Sequence, residues 1–183
     1  MGEPTVGRHG DRQEYEWLRF DLTGRLVFVR APAPGDEPAL IEMATDARVR
    51  QYIGGPSDPA SAAARAAQQV TGAQPGQFVI VERSTATVAG SGSLARKRGP
   101  WEISYQLRTS FRGRGLAGET VALVRDWFFT RTSEDLLIAT TQSVNVASRR
   151  LLQRAGATHA GSFEQYGLPQ ERYEFRRAAH PPR

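Results

Sequence analysis

The run ISYQLRTSFRGRGLAGETVALVRDWFF, residues 103–129, restricts the fold more than any other part of the chain. Alternating β-rich residues end near Leu107, a short loop follows, and RGRGLA (112–117) turns straight into a helix. Its apolar residues Leu116, Val121, Val124, Trp127 and Phe128 recur at helical spacing, so the helix lays one face on a core. Glycines at 113 and 115 permit close backbone approach to a ligand. The first N–H groups of a helix lack internal partners, and the helix dipole makes that end positive. Such a turn suits a pyrophosphate. The Lys-Ser/Thr pair of a P-loop is absent, as are the third glycine and downstream acid of a dinucleotide fingerprint. The competing reading is a solvated basic turn or a piece of a nucleic-acid-binding arm. A single copy before a patterned helix is unlike an RGG tract.

The flanking sequence supplies strands and helices in a definite order. LVFV (26–29) predicts a first strand, broken by Pro32, Pro34 and Gly35 before a helix around Glu37–Thr45. A loop at 54–56 precedes the alanine-rich helix Pro59–Val70. Three antiparallel strands are expected over 78–83, 87–97 and Trp101–Leu107. After the central helix come a buried strand (136–141), a helix (145–155) stopped by Gly156, and strands near 159–163 and 172–175. The order indicates one α/β (α+β) domain, with a mixed, largely antiparallel sheet of about seven strands and helices on both faces. Residues 1–20 read as a tail or loosely docked arm, 21–178 as the domain, and 179–183 as a C-terminal tail.

Charge and composition narrow the partners. The formal net charge is +5, and Lys97 is the only lysine among 24 basic residues. Arginine favours bidentate phosphate recognition, so an anionic partner fits; arginine-rich coding is the bland alternative. No window reaches ~18 apolar residues, so no membrane span is expected. The absence of cysteine removes thiolate metal sites and cysteine nucleophiles. The polar first residues contain no secretory h-region, and a cytoplasmic protein is the expectation.

In RGRGLA, Arg112, Gly115 and Ala117 occupy the fixed places of Gln/Arg-x-x-Gly-x-Gly/Ala, and NVASRRLLQRAGA (145–157) gives Asn-x-x-Ser on a helix ending in glycine. In these motifs the chain resembles the GNAT superfamily. TGRLVFVRAPAPGD and WEISYQL are similar to its branch that acetylates ribosomal-protein N-termini, the RimJ/RimL type. The resemblance spans roughly residues 22–176. It implies acetyl-CoA or another acyl-CoA as donor, a primary amine as acceptor, no metal, and a splayed central sheet. The amides of Arg112, Gly113, Arg114, Gly115, Leu116 and Ala117 would bind the pyrophosphate, with the arginine side chains assisting. The strand end Tyr105, Gln106 and Leu107 would pair with the pantetheine arm. Asn145 would hydrogen-bond that arm, and Ser148 would lie near the thioester sulfur.

Two departures from the family matter. The place of a tyrosine acid late in the Asn helix is taken by Leu152, and that of a strand glutamate by Thr140. Ser148 and Glu102 remain as catalytic candidates. Glu102 shares a strand face with Ser104 and Gln106, where a carboxylate could deprotonate the acceptor ammonium or simply be structural. Asn145 and Ser148 also suit a helix cap, a role compatible with ligand binding. Trp17, Tyr52, Trp101, Phe163 and Tyr166 are candidate acceptor walls or plain core. His159 stands alone, and the histidine spacing supports no metal site.

The expected chemistry is direct acyl transfer to the amine in a ternary complex. A non-catalytic CoA-binding sensor is the alternative, and a basic nucleic-acid module needs an aromatic–basic face that these scattered arginines do not form. No nucleic-acid or membrane partner is expected, and the chain would be a monomer or homodimer. Protein α-amines, amino acids, polyamines and aminoglycoside-like molecules all stay open as acceptors.

Overall fold

The computed structural model describes residues 17–71, 75–96 and 99–178. Its strands are β1 (Asp21–Thr23), β2 (Val27–Arg30), β3 (Gln77–Glu82), β4 (Thr87–Ala95), β5 (Trp101–Leu107), β6 (Leu136–Gln142), β7 (Thr158–Gln165) and β8 (Leu168–Arg176). The helices are α1 (Glu37–Thr45), α2 (Pro59–Val70), α3 (Leu116–Arg131) and α4 (Val146–Arg154), with a 3₁₀ turn at Thr109–Phe111. All eight strands form one sheet in the order β1-β2-β3-β4-β5-β6-β8-β7. Only the β5–β6 pair is parallel, as expected of two strands joined through a helix.

The sheet has one strand more than the sequence predicts. DLT (21–23) is too short to show a period, yet it pairs antiparallel with β2. Just before it, Leu18 and Phe20 are buried in the main core, so the chain is already docked within the stretch read as an arm. Residues 1–16, 97–98 and 179–183, including Lys97 and most of the two proposed tails, lie outside the described residues.

Each sheet face carries a core. One packs Val27, Val29, Ile80, Ile103, Leu137, Tyr173 and Phe175 against Val121, Val124 and Phe128 of α3 and Leu152 of α4. The other packs Val79 and Val81 against Leu40 and Met43 of α1 and Ala66 of α2. Alternation along the strands decides which residue meets which core. On β5, Trp101 and Ile103 face α3, while Gln106 donates to Ser91 Oγ, itself turned toward Met43 of α1.

Local chemistry fixes the helix ends. Asp58 accepts the Ser61 N–H at 2.9 Å to cap α2, and Asn145 accepts the Ser148 N–H at 3.2 Å to cap α4. At the far end of the sheet, Glu119 of α3 accepts backbone N–H bonds from Arg25, Leu26 and Val27 at 2.8, 2.7 and 3.0 Å, pinning the β1–β2 turn. Among the described residues no helix is long and apolar enough to cross a membrane.

Candidate active site

The site exists because two neighbouring strands part. β5 and β6 pair only at Trp101–Leu137 and Glu102–Ile138. Beyond Glu102, the β5 edge from Ile103 to Leu107 faces a cleft of about 1470 Å³ instead of a neighbouring strand. Thr140, Thr141 and Gln142 of β6 form the opposite wall. The start of α3, the first turns of α4, the 51–54 loop and the β7–β8 turn close the ends. The unpaired β5 backbone can therefore bond an extended ligand as an added strand would.

The glycine turn forms one end of this cleft. Gly113 and Gly115 have φ of 77° and 81°, a left-handed backbone that L side chains rarely adopt. Gly115 is the N-cap residue of α3 and has no side chain to satisfy the first-turn amides. Gly113, Gly115, Leu116 and Ala117 all line the cleft, so positive helix-end dipoles point where an anion can sit. The Arg112 amide, by contrast, donates to the Thr109 carbonyl at 3.3 Å.

The arginine side chains of the turn mostly hold the fold. Arg112 Nη2 donates to the Arg48 carbonyl at 2.9 Å. Arg114 pairs with Glu82 at 3.1 Å, its guanidinium lying 5.0 Å from the Phe111 ring centre. Arg108 donates two bonds to the Glu42 carboxylate. Three arginines thus fasten the turn to its surroundings, and two of them, Arg108 and Arg112, reach the region at and just after α1.

Across the cleft, Tyr105 reaches from β5 to the first turn of α4. Its hydroxyl shares a 2.9 Å hydrogen bond with Ser148 Oγ, and burial pushes the phenol up to about 12, with the Ser148 bond opposing. The phenol remains protonated at neutral pH and keeps Ser148 in place. Sequence reasoning assigned Tyr105 a backbone role only; its reach to Ser148 depends on the distance between β5 and α4, which no spacing reveals.

On the α1 side, Thr140 Oγ1 donates to the Glu102 carboxylate. Thr140 lines the cleft and Glu102 does not, so the carboxylate stands one hydroxyl behind the wall. Gln106 lines the cleft too, and its buried Oε1 has no protein hydrogen-bond partner. A buried acceptor of this kind favours a ligand N–H or O–H.

Residues 25–158 match the Acetyltransferase (GNAT) domain family. The chain belongs to the GNAT acetyltransferases. No curated protein matches it. Among solved structures it is similar to a GNAT-family acetyltransferase from Bacillus anthracis, with a TM-score of 0.76 and 18% identity over 85% of this chain and 97% of that one. An acetyltransferase from Salmonella typhimurium that modifies the N-terminal serine of ribosomal protein L7/L12 gives 0.70 and 17%, over 85% and 97%. Spermidine N-acetyltransferase from Vibrio cholerae, solved with CoA and spermine, gives 0.70 and 13%, over 84% and 96%. At these identities the likenesses are of fold. Family membership makes the chain an acyl-CoA-dependent N-acetyltransferase.

Within this GNAT fold, Tyr105, Gln106, Leu107, Arg112, Gly113, Gly115, Leu116, Ala117, Asn145 and Ser148 come together along the cleft. Glu102 and Arg114 lie off its wall. Leu152 is fully buried in the core and offers the cleft nothing. Of the suggested acceptor walls, Tyr52 and Tyr166 line the cleft. Trp17 and Trp101 pack edge to face at 5.3 Å in the aromatic core beside Phe128, because odd positions of β5 face α3. Phe163 is exposed and lies outside the cleft wall. His159 bonds Glu171, which also accepts from Ser143 and Ser162, in a knot joining β7, β8 and the loop before α4.

Proposed function

We propose that the chain transfers an acetyl group from acetyl-CoA to a primary amine by direct attack in a ternary complex. The unpaired β5 edge, running between the glycine turn and Ser148, carries this reading. The pyrophosphate would lie on the Gly113–Ala117 amides and the pantetheine along Tyr105, Gln106 and Leu107, with Asn145 beside it. The amine nitrogen attacks the thioester carbon, the oxyanion takes a β5 backbone N–H, and the C–S bond breaks. Ser148, held by Tyr105, would then hydrogen-bond the departing thiolate. The ammonium proton would pass through Thr140 Oγ1 to Glu102, since that hydroxyl already donates to the carboxylate and can accept on its other side. Positioning supplies much of the acceleration, and oxyanion stabilisation another large part.

The cleft wall also bears on the acceptor. Among the described residues lining it there is no carboxylate, and the polar groups near its α1 side include the neutral Gln51, Gln106 and Gln142. A polyamine would find no counter-charge there, so a singly charged amine, such as a peptide α-amine, suits the lining better. The test offers acetyl-CoA with a free-α-amine peptide, an amino acid, spermidine and an aminoglycoside. CoA thiol release and product mass are the readouts. Turnover with at least one amine is expected. CoA binding without turnover across the panel would leave the sensor role instead.

A further inference from the structure

The first turn of α4 is held from two directions. Ser148 reaches Tyr105 of β5 across the cleft. Arg149, the next residue, projects about 100° further round the helix and turns away from the cleft. Its Nε donates to Tyr173 Oη at 3.3 Å, and its Nη1 donates to the Ser143 carbonyl at 3.1 Å. Tyr173 is fully buried on β8, so its phenol is a fixed point.

Ser143 is fastened in turn by its other polar groups. Its hydroxyl donates to Glu171 at 2.7 Å, and its N–H donates to the Pro169 carbonyl at 2.9 Å. Glu171 also bonds His159, whose ring packs edge to face on Tyr173 at 5.4 Å. Arg149, Ser143, Glu171, His159 and Tyr173 thus form a closed circuit behind the helix, drawn from α4, the loop before it, β7 and β8. Apolar packing does less at this end. The buried residue of α4 is Leu152, in its second half, whereas Val144 and Val146 at the entry are exposed. A helix of nine residues is marginal by itself. The polar contacts therefore set how the first turn is rotated, and that rotation decides where Ser148 Oγ points.

We propose that Arg149 is a positioning residue for acyl transfer: tied to Tyr173 and Ser143, it fixes the roll of α4 so that Ser148 Oγ meets the departing thiolate. This rests on the role given to Ser148 above. Arg149 does not line the cleft, so its effect passes through its neighbour.

The test compares Arg149→Met, Tyr173→Phe and Ser148→Ala, each alone and the first two also combined with Ser148→Ala. Arg149→Met removes both donors, and Tyr173→Phe removes one acceptor without emptying the core. Rates are read as CoA thiol release at saturating acetyl-CoA and the best acceptor of the amine panel. Arg149→Met should lower kcat on the order of 10-fold, since a small misplacement of a reacting group suffices for that. Tyr173→Phe should lower it less. The affinity for CoA, measured by calorimetry, should stay near the parental value, because the glycine turn leads into α3. In the Ser148→Ala background neither change should cost anything further in kcat. A role in stability alone would lower the melting temperature and leave the kcat of the folded enzyme unmoved. Parental kcat in Arg149→Met would overturn the proposal, and so would an equal loss with and without Ser148. Should Arg149→Met fail to fold, Tyr173→Phe decides by the same comparison. A Ser148→Ala enzyme as fast as its parent, or a parent that acetylates no amine, would instead sink the reading beneath, and the positioning role with it.

Discussion

The Tyr105 hydroxyl and Ser148 Oγ lie 2.9 Å apart, joining β5 to the first turn of α4 across the parted sheet. The bond places a buried phenol behind the serine proposed to meet the leaving thiolate. A lone serine hydroxyl is free to rotate; here its orientation is set by a buried phenol, whose burial pushes it further up, to about 12.

Removing either partner should slow chemistry without unfolding the chain. Loss of a hydrogen bond to a charged group costs about 1.5–3 kcal/mol, which is about 10- to 150-fold in rate if the bond forms only in the transition state. Ser148→Ala should fall in that range for kcat. Tyr105→Phe should cost less, and the double variant should cost no more than Ser148→Ala, because the two act as one unit. Rates are compared at saturating donor and acceptor. Additive losses would mean that Tyr105 acts independently of Ser148.

Gly115→Asp should abolish donor binding. The substitution adds a negative charge where anions are held and forces an L side chain into φ of 81°. Acetyl-CoA should raise the melting temperature of the parent by mass action and leave the variant unmoved. A variant stabilised as much as its parent would place the phosphate site elsewhere.

The glycine turn, its following helix and the Asn-x-x-Ser cap were legible in the sequence because each is local: a few residues decide a left-handed turn or a capped helix end. Seven strands were legible for the same reason. DLT (21–23) was not, since three residues carry no period and pair only because β2 offers an edge. Glu102 shows the limit at the site. Its strand face is readable from alternation, but its attachment to Thr140 depends on where β5 and β6 separate, and that is a property of the sheet. The same holds for Trp17, whose place in the aromatic core is set by partners more than 80 positions away.

If Glu102 takes the ammonium proton through Thr140, both links should matter. Glu102→Gln should lower kcat on the order of 10²-fold or more, with CoA affinity little changed. Thr140→Val keeps the shape but breaks the relay, and should lower kcat in the same direction. Near-parental turnover in Glu102→Gln would leave the carboxylate a structural partner of Thr140.

Glu119 anchors β1 and β2 to α3 through three backbone N–H bonds. A glutamine there offers one carbonyl oxygen and presents an amide donor to at least one of those N–H groups. Glu119→Gln should therefore destabilise the fold by about 1–3 kcal/mol, the cost of leaving such donors unpaired. Denaturant unfolding reads the change. An unaltered midpoint would show that the β1–β2 turn is held by its apolar contacts alone.

Acid should weaken the β7–β8 hairpin over a defined window of pH. Hydrogen bonds from Ser143 and Ser162 and the contact with His159 hold the Glu171 carboxyl down to about 2, against the opposing effect of burial. A carboxylate whose folded value is depressed stabilises the fold fully above its ordinary titration range and loses that contribution as pH falls toward the folded value. The loss should thus run from roughly pH 4 downward to about 2. In Glu171→Gln the side chain no longer titrates, so the melting temperature should start lower near neutrality and decline less steeply over that window. The two curves should converge at the acid end, where the parent carboxyl is protonated too. Parallel curves would mean that Glu171 contributes through packing and neutral hydrogen bonds, and that its charge does not tie Ser143 to the hairpin.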